Sequence, residues 1–179
     1  HARPPAGMPD QEKSAQIQDQ GQALLDELAY EQYEVSAYAR DRKHCKHNLN
    51  YWSFGDYLAV GAGAHGKISN DAGIWRYVKA ANPKQYLETI EAGTPVPDPQ
   101  PVAPQERLFE FMLNVSRLDA GFTEQFFTAR TGLPAKALRK RLEAPSAKGL
   151  IELSAGDRWQ VTPLGRRFLN DLQADFLPQ

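Results

Sequence analysis

The fold of the second half of this chain is decided by the stretch Leu150-Ile151-Glu152-Leu153-Ser154-Ala155-Gly156-Asp157-Arg158-Trp159-Gln160-Val161. Two runs rich in apolar and aromatic residues flank a turn that contains Gly and Asp, and this pattern predicts a β-hairpin. Thr162 and Pro163 follow directly. A hydroxyl N-cap with proline at the first helical position predicts a closing helix that runs to about Phe176.

Three further helices are predicted upstream of the hairpin, over Gln105–Leu118, Thr123–Arg130 and Pro134–Lys148. The first has one broad apolar face, and the second opens with a threonine cap and ends before Gly132. Three helices, a hairpin and a closing helix resemble a winged helix. We therefore predict a mainly helical, winged-helix-like domain over residues 105–179.

Residues 93–104 are predicted to be a proline-rich linker. Four prolines occur in the seven residues from Pro95 to Pro101. Proline removes a backbone donor and fixes φ, so such a run does not fit a central strand or a helix interior. A domain boundary is therefore expected here, with a first domain over residues 1–92.

The first domain mixes helix and strand signals. Apolar residues at near-helical spacing predict a helix over Gln11–Ala29, and alternation predicts a strand within Tyr30–Tyr38. The apolar run Tyr57–Val60 predicts a buried strand, and Asn82 followed by Pro83 predicts a helix to Glu91. A helix that feeds a strand is half of an α/β repeat. The fold class expected for the whole chain is α+β: an α/β part followed by the helical domain.

The overall composition is that of an ordinary globular protein of 179 residues with a net charge of −1. This charge provides no field that would attract nucleic acid or an anionic membrane. The sequence contains one cysteine, which excludes an internal disulfide and favours a reducing compartment. The opening His1-Ala2-Arg3-Pro4-Pro5 does not resemble a signal peptide, and we interpret it as the inside of a longer chain.

A candidate site lies in Cys45-Lys46-His47-Asn48-Leu49-Asn50-Tyr51-Trp52, which has no clean period of 2 or 3.6. His47 is a candidate metal ligand, and Asn48 and Asn50 could orient its second ring nitrogen. Tyr51 and Trp52 offer flat apolar faces, and nearby cations could pair with propionates. These groups permit haem binding without requiring it. Three alternatives stay open. His47 could be an ordinary histidine, Cys45 could be the axial ligand, or Cys45 could hold zinc together with His44 and His47.

Gly61-Ala62-Gly63-Ala64-His65-Gly66 is a second unusual run. It lacks the Lys-Ser/Thr that a phosphate-binding loop needs. A backbone without side chains lets a planar ligand approach closely, but it also suits a tight turn at the end of a strand. Both interpretations are open from the sequence.

DNA binding is the rival interpretation of the helical domain. Its third predicted helix carries a basic cluster: Lys136, Arg139, Lys140 and Arg141. However, residues 105–179 hold 11 Lys and Arg against 9 Asp and Glu, which is weak for a phosphate-binding surface. We therefore expect no nucleic-acid partner, and interpret this domain as a lid or docking module.

Several stretches together resemble one family, the radical S-adenosylmethionine (SAM) proteins of the oxygen-independent coproporphyrinogen III oxidase type. The pattern H-N-x-x-Y-W at 47–52 is similar to that of its haem-chaperone branch, the HemW type, and the likeness covers the C-terminal half of the family. The stretches are Arg3-Pro4-Pro5 through Met8-Pro9, Tyr33-Glu34-Val35-Ser36, His47–Trp52, Gly55-Asp56-Tyr57-Leu58 and Gly61-Ala62-Gly63-Ala64-His65.

The resemblance implies haem binding at His47, Asn48, Tyr51 and Trp52, with His47 as the axial ligand of the haem iron. It places a second set beside the SAM and [4Fe–4S] pocket of the longer proteins: Gly61, Gly63, Ala64 and His65. The implied function is a cytoplasmic chaperone that delivers haem to respiratory enzymes, with membrane association through those partners. The alternative is an oxygen-independent coproporphyrinogen III oxidase, which performs an oxidative decarboxylation in porphyrin biosynthesis.

The chain departs from the family in one respect, because the cluster motif C-x-x-x-C-x-x-C is absent and Cys45 is the sole cysteine. This polypeptide alone therefore cannot hold the cluster or cleave SAM, and we expect it to be inactive by itself. It is expected to form the last part of a partial barrel. An incomplete barrel exposes a strand edge, so a homodimer is predicted.

Overall fold

The computed structural model describes residues 7–93 and 98–178. They belong to two compact units, residues 1–44 and residues 45–179, which we describe separately. Arg3-Pro4-Pro5 and the centre of the predicted linker, residues 94–97, lie outside the described residues. The division of the chain at 93–104 stays a prediction.

The first unit contains one helix and one hairpin. Helix α1 (Gln11–Glu27) confirms the predicted helix, and the Asp10 carboxylate caps it by accepting from the Lys13 amide at 2.8 Å. Strands β1 (Glu31–Glu34) and β2 (Ala37–Ala39) pair antiparallel, so the prediction of a single strand over 30–38 is wrong. The chain reverses after Glu34, whose side chain accepts from the Ser36 amide at 2.9 Å and from its hydroxyl at 2.7 Å. The helix therefore leads into a hairpin and not into an α/β repeat.

The second unit begins with a short helix and a three-stranded antiparallel sheet. Its strands, in spatial order, are β3 (His65–Asn70), β4 (Gly73–Val78) and β5 (Gln100–Pro101). Strand β5 is a two-residue edge strand within the predicted linker, a position that tolerates Pro101. Helix α3 confirms its prediction, because the Asn82 side chain caps it and Pro83 opens it. The elements are α2 (Lys46–Trp52), β3 (His65–Asn70), β4 (Gly73–Val78), α3 (Pro83–Glu91) and β5 (Gln100–Pro101).

The stretch Tyr57–Val60 is not a buried strand, so that prediction is wrong. Tyr57 forms an isolated bridge with Lys67, while Leu58 and Val60 are 75% and 85% exposed. Ala59 is the buried residue of the stretch, and its amide donates to the Tyr77 hydroxyl at 3.1 Å. The apolar run therefore lies in a loop, with its large side chains in solvent.

The remainder of the second unit has the element order of a winged helix, as predicted. Its three-stranded sheet has the order β6-β8-β7, and β7 and β8 form the predicted hairpin. The elements are α4 (Pro104–Val115), β6 (Phe122–Thr123), α5 (Glu124–Thr131), α6 (Ala135–Ala147), β7 (Ile151–Ser154), β8 (Arg158–Val161), α7 (Pro163–Arg167) and α8 (Leu169–Ala174). With eight helices and three small antiparallel sheets among the described residues, the α+β class is confirmed.

The closing helix differs from its prediction. Thr162 caps it and Pro163 opens it, but the helix breaks at Phe168, whose φ and ψ are −114° and 42°. Beyond the break, Leu172 and Phe176 are almost fully buried, whereas Phe168 is half exposed. The two short segments α7 and α8 thus replace one continuous helix.

The described residues give no support to the predicted pairing of two copies through a barrel edge.

Phe111 on α4 lies at the centre of the hydrophobic core. Its side chain is 0% exposed, and it contacts four other phenylalanine rings at centroid distances of 5.1 to 6.1 Å. Three of these rings come from β6 and α5: Phe122, Phe126 and Phe127. The fourth, Phe54, comes from the loop after α2. The core of the winged-helix part therefore extends to the end of α2.

Candidate functional site

Helix α2, here called the motif helix, carries the H-N-x-x-Y-W residues. Helical spacing places His47 and Tyr51 on one stripe, and Asn48 and Trp52 on the next. The rings of His47 and Tyr51 contact each other edge to face, with centroids 4.8 Å apart and an interplanar angle of 68°. The sequence analysis predicted no helix here.

A row of three rings starts at this contact. The Tyr51 ring lies 4.6 Å from that of Tyr57, centroid to centroid, so His47, Tyr51 and Tyr57 form what we call the ring row. The Tyr57 hydroxyl accepts from Nη1 of Arg76 at 2.9 Å. Arg76 also donates to Glu110 Oε2, from Nε at 3.2 Å and from Nη2 at 2.7 Å. The ring row therefore ends at an ion pair between β4 and α4.

Arg76 and Glu110 form a partly buried ion pair. Burial by itself would lower the pKa of Arg76, but the hydrogen bond and charge of Glu110 outweigh burial and raise the pKa above its ordinary value. Sequence reasoning missed both residues, which are 34 positions apart. An isolated Arg and an isolated Glu carry no sequence signal that they pair.

A cavity of about 320 Å³ lies beside the ring row. Its lining includes Tyr51, Tyr57 and four residues of α4. The α4 residues are Phe109, Glu110, Leu113 and Asn114. The winged-helix part of the chain therefore supplies one wall of the candidate site.

Trp52 does not join the ring row. The guanidinium carbon of Arg117 lies 4.3 Å from its ring centroid, a cation–π contact. The indole Nε1 is buried and finds no hydrogen-bond partner within the described part of the chain. Asn48, on the same stripe, is half-buried. The structure therefore brings His47 and Tyr51 together and places Trp52 beside Arg117.

The interpretation of Asn50 as a partner of the His47 ring is wrong. Its Nδ2 donates to the main-chain oxygen of Asp56 at 2.8 Å. His47 itself is exposed, and among the described residues its imidazole nitrogens have no hydrogen-bond partner. The neighbouring Cys45 is exposed as well and occupies the N-cap position of the motif helix.

The glycine run forms a turn that leads into β3. Gly61 and Gly63 have φ values of 100° and 69°, which favour glycine, and the Gly63 amide donates to the Ala80 carbonyl at 2.8 Å. Ala64 accepts from the Lys79 amide at 2.9 Å, and His65 is exposed at the start of β3. A ligand role for Gly61, Gly63, Ala64 and His65 stays a prediction.

The flat group that approaches this run belongs to the chain itself. Gly66 lies opposite Tyr77 across the strand pair, and a Cβ on Gly66 would stand 2.2 Å from the Tyr77 ring. The absent side chain at Gly66 therefore makes room for a neighbouring tyrosine.

Lys67 is a buried cation that sequence reasoning missed. Its side chain is 1% exposed, and Nζ donates to the Phe54 carbonyl at 2.9 Å and to Asp56 Oδ1 at 3.1 Å. Neighbouring residues of a strand point to opposite faces, so one would expect Ile68 to be buried and Lys67 to be exposed. The structure shows the reverse, since Ile68 is 39% exposed. No sequence pattern would have located this lysine.

Comparison with known proteins identifies the chain's relatives. It is 42% identical to the heme chaperone HemW of Haemophilus influenzae over 99% of this chain and 45% of that protein. It is 38% identical to HemW of Escherichia coli over 99% of this chain and 46% of that protein. The chain is a homologue of the C-terminal part of the HemW proteins. It spans less than half the length of these curated relatives.

Two further similarities agree with this position in the HemW proteins. The family described as the HemN C-terminal domain matches residues 102–168, which run from two residues before α4 to the break after α7. The solved structure of coproporphyrinogen III oxidase, HemN, from Escherichia coli aligns with a TM-score of 0.65. It covers 97% of this chain and 43% of that one, at 15% identity, and so shows the shared fold.

Two cations of the basic cluster in this HemW homologue are engaged within the domain. Arg139 pairs with Glu124, with Nε 2.8 Å from Oε1, and Arg141 donates to the carbonyls of Asp175 and Leu177. Within the described part of the chain, His, Cys, Asp and Glu side chains nowhere gather in threes to hold a metal ion. Over residues 7–93 and 98–178, no helix has the length and apolar character needed to cross a membrane.

Asp56 makes the stability of the HemW homologue depend on acid pH. Burial would raise the pKa of this carboxyl group, but hydrogen bonds from the Ser69 amide, the Ser69 hydroxyl and Lys67 outweigh it, so the pKa lies below 3.8. Such a carboxylate stabilises the fold above pH 3.8, and this contribution is lost as the pH falls through the folded-state pKa. We expect Asp56→Asn to lower the free energy of unfolding at pH 7 by about 1 kcal/mol, discounted for partial exposure.

Urea denaturation between pH 7 and pH 3 measures this effect. The gap between wild type and Asp56→Asn should shrink as the pH falls below 3.8. Asp71→Asn, at an exposed position, is the matched control and should leave the free energy of unfolding unchanged. A gap that stays constant over this pH range would contradict the prediction.

Proposed function

We propose that this chain is the haem-binding C-terminal part of a haem chaperone, with His47 as the ligand of the haem iron. The observation that carries the proposal is the exposed imidazole at the end of the ring row, whose nitrogens are not engaged by described residues. It is supported by 42% identity to a protein named heme chaperone HemW. Haem is the cargo of this protein, and its iron accepts an imidazole nitrogen.

The residues around His47 fit a flat, dianionic cargo. Tyr51 offers an aromatic ring beside the imidazole, and the exposed ammonium of Lys46 can pair with a propionate. Asn48 and Trp52 complete the proposed haem-binding set. Trp52 would act by fixing the motif helix against Arg117, rather than by direct contact with the ring row.

The exposure of His47 suits delivery better than storage. A ligand on an open helix face can pass its cargo to another protein without unfolding of a surrounding pocket. We propose respiratory enzymes as the acceptors, and a cytoplasmic location for the chaperone with membrane association through these partners. In the longer relatives, Gly61, Gly63, Ala64 and His65 would stand beside the SAM and cluster pocket.

Coproporphyrinogen oxidation remains the second function that the resemblance implies. No separate observation in the described residues favours it. The similarity to the oxidase structure is one of fold at 15% identity.

Titration of the full chain with ferric haem and with iron-free protoporphyrin IX tests the proposal. Both carry the same ring and propionates, so a difference in affinity reports ligation by the protein. We expect ferric haem to bind with a shifted Soret band, and the iron-free ring to bind at least about tenfold more weakly. Equal affinity for the two would contradict a role for an iron ligand.

A further inference from the structure

Lys67 is buried beside the proposed haem site, and none of the proposed haem contacts uses it. The motif helix ends at Trp52, and just beyond it the Phe54 amide donates to the Tyr51 carbonyl and the Gly55 amide donates to the Asn50 carbonyl. This pair of bonds requires a left-handed residue at position 54. Phe54 adopts that conformation, with φ of 54°, although it is not glycine. A bulky residue persists there only when its surroundings hold it.

The Lys67 ammonium holds Phe54 in this conformation. Its Nζ lies 2.9 Å from the Phe54 carbonyl oxygen and 3.5 Å from that of Gly55. It also lies 3.9 Å from the centroid of the Phe54 ring. Buried carbonyls and a buried ring face are thus satisfied by one cation.

Asp56 makes burial of this cation possible and connects it to the motif helix. Its carboxylate accepts from Lys67 and, at 2.8 Å each, from the Ser69 amide and hydroxyl. Its main-chain oxygen accepts from Asn50 Nδ2 at 2.8 Å. Burial lowers the pKa of Lys67 below 10.5, although Asp56 opposes this shift.

The backbone of Lys67 holds the other end of the ring row. Its amide donates to the Tyr57 carbonyl at 2.9 Å, and its carbonyl accepts from the Tyr57 amide at 3.0 Å. One residue therefore binds Tyr57 through its main chain and the end of the motif helix through its side chain. The separation of Tyr51 and Tyr57 is fixed by this double attachment.

We infer that Lys67 is a positioning residue for the haem site, which sets the place of the motif helix, and so of His47 and Tyr51, relative to Tyr57. The inference rests on the proposed function. A methionine of similar length would fill the same space but leave the Phe54 carbonyl and the Asp56 carboxylate without their donor. The motif helix would then lose its fixed end while keeping all four haem-binding side chains.

The test compares Lys67→Met with Leu142→Ala in the full chain. Leu142 is 1% exposed on α6, so its truncation destabilises the fold away from the ring row. Haem affinity, the Soret band and the free energy of unfolding are measured for each variant. We expect Lys67→Met to bind haem about tenfold more weakly with an altered Soret band, as for residues that orient a metal ligand. We expect Leu142→Ala to lose stability with haem affinity unchanged.

His47→Ala separates the two possible failures. If Lys67→Met binds haem like wild type while His47→Ala does not, the positioning role is overturned and the proposed function stands. If neither substitution changes haem binding, the proposed function fails. Equal losses of affinity in Lys67→Met and Leu142→Ala would mean a general effect of stability, which also overturns the inference.

Ser69→Ala keeps the test decisive if Lys67→Met does not fold. It removes the hydroxyl donor to Asp56 and leaves the Lys67–Asp56 ion pair in place. We expect haem affinity to fall about threefold, because Asp56 becomes less tightly held. Haem affinity equal to that of wild type in Ser69→Ala, when Lys67→Met is unfolded, would overturn the inference.

Discussion

Replacing His47 with alanine is expected to lower the affinity for ferric haem about 100-fold, since loss of a residue that only orients a metal ligand already costs 10- to 100-fold. The substitution removes the proposed ligand and little else. His47 is exposed and makes one edge contact with Tyr51, so the free energy of unfolding should change by about 1 kcal/mol or less. Haem titration followed by absorbance spectroscopy measures the affinity, and urea denaturation measures stability.

His65→Ala is the matched control for this experiment. His65 is another exposed histidine, on β3, and the same atoms are removed. We expect its haem affinity and Soret band to match those of wild type. If His47→Ala retains both the Soret band and the affinity of wild type, His47 is not the iron ligand.

Replacing Phe111 with alanine is expected to lower the free energy of unfolding by about 3–5 kcal/mol, the usual cost of truncating a buried aromatic side chain. Phe111 is 0% exposed and touches four phenylalanine rings, so its truncation leaves a cavity bordered by these rings. Urea denaturation followed by circular dichroism at pH 7 measures the change.

Leu113→Ala controls for the loss of apolar volume on the same helix. Leu113 is 38% exposed, and its truncation should cost about 1 kcal/mol. A similar cost for both variants would show that the ring cluster is not the centre of the core. Because the Phe54 ring packs on Phe111, Phe111→Ala should also weaken haem binding.

The sequence predicted well where the signal was local. Thr123 and Asn82 cap helices at the expected residues, and the turn at Ala155-Gly156-Asp157 joins the expected strands. Each of these signals acts within a few residues, so no knowledge of the rest of the fold is needed. The H-N-x-x-Y-W pattern was recognised in the same way, because its residues are contiguous in the sequence.

The sequence failed where the tertiary environment decides the structure. The motif helix has seven residues, which are too few to show a helical period in the sequence. Its end is held by Lys67, which lies on β3. Arg76 and Glu110 meet only because β4 and α4 are neighbours. The run Tyr57–Val60 misled in the opposite sense, since two of its large apolar residues face solvent.

Helix α4 faces two ways: Phe111 belongs to the winged-helix core, while Glu110 and Leu113 form a wall of the cavity beside Tyr51. A chimaera that exchanges residues 102–168 between relatives would therefore exchange four of the ten residues that line this cavity as well. Grafting the H-N-x-x-Y-W helix onto another scaffold would likewise transfer an incomplete site, because the residues that α4 contributes to the cavity would be missing. A unit transferred for engineering must therefore include the motif helix, α4 and the phenylalanines of β6 and α5 that pack on Phe111.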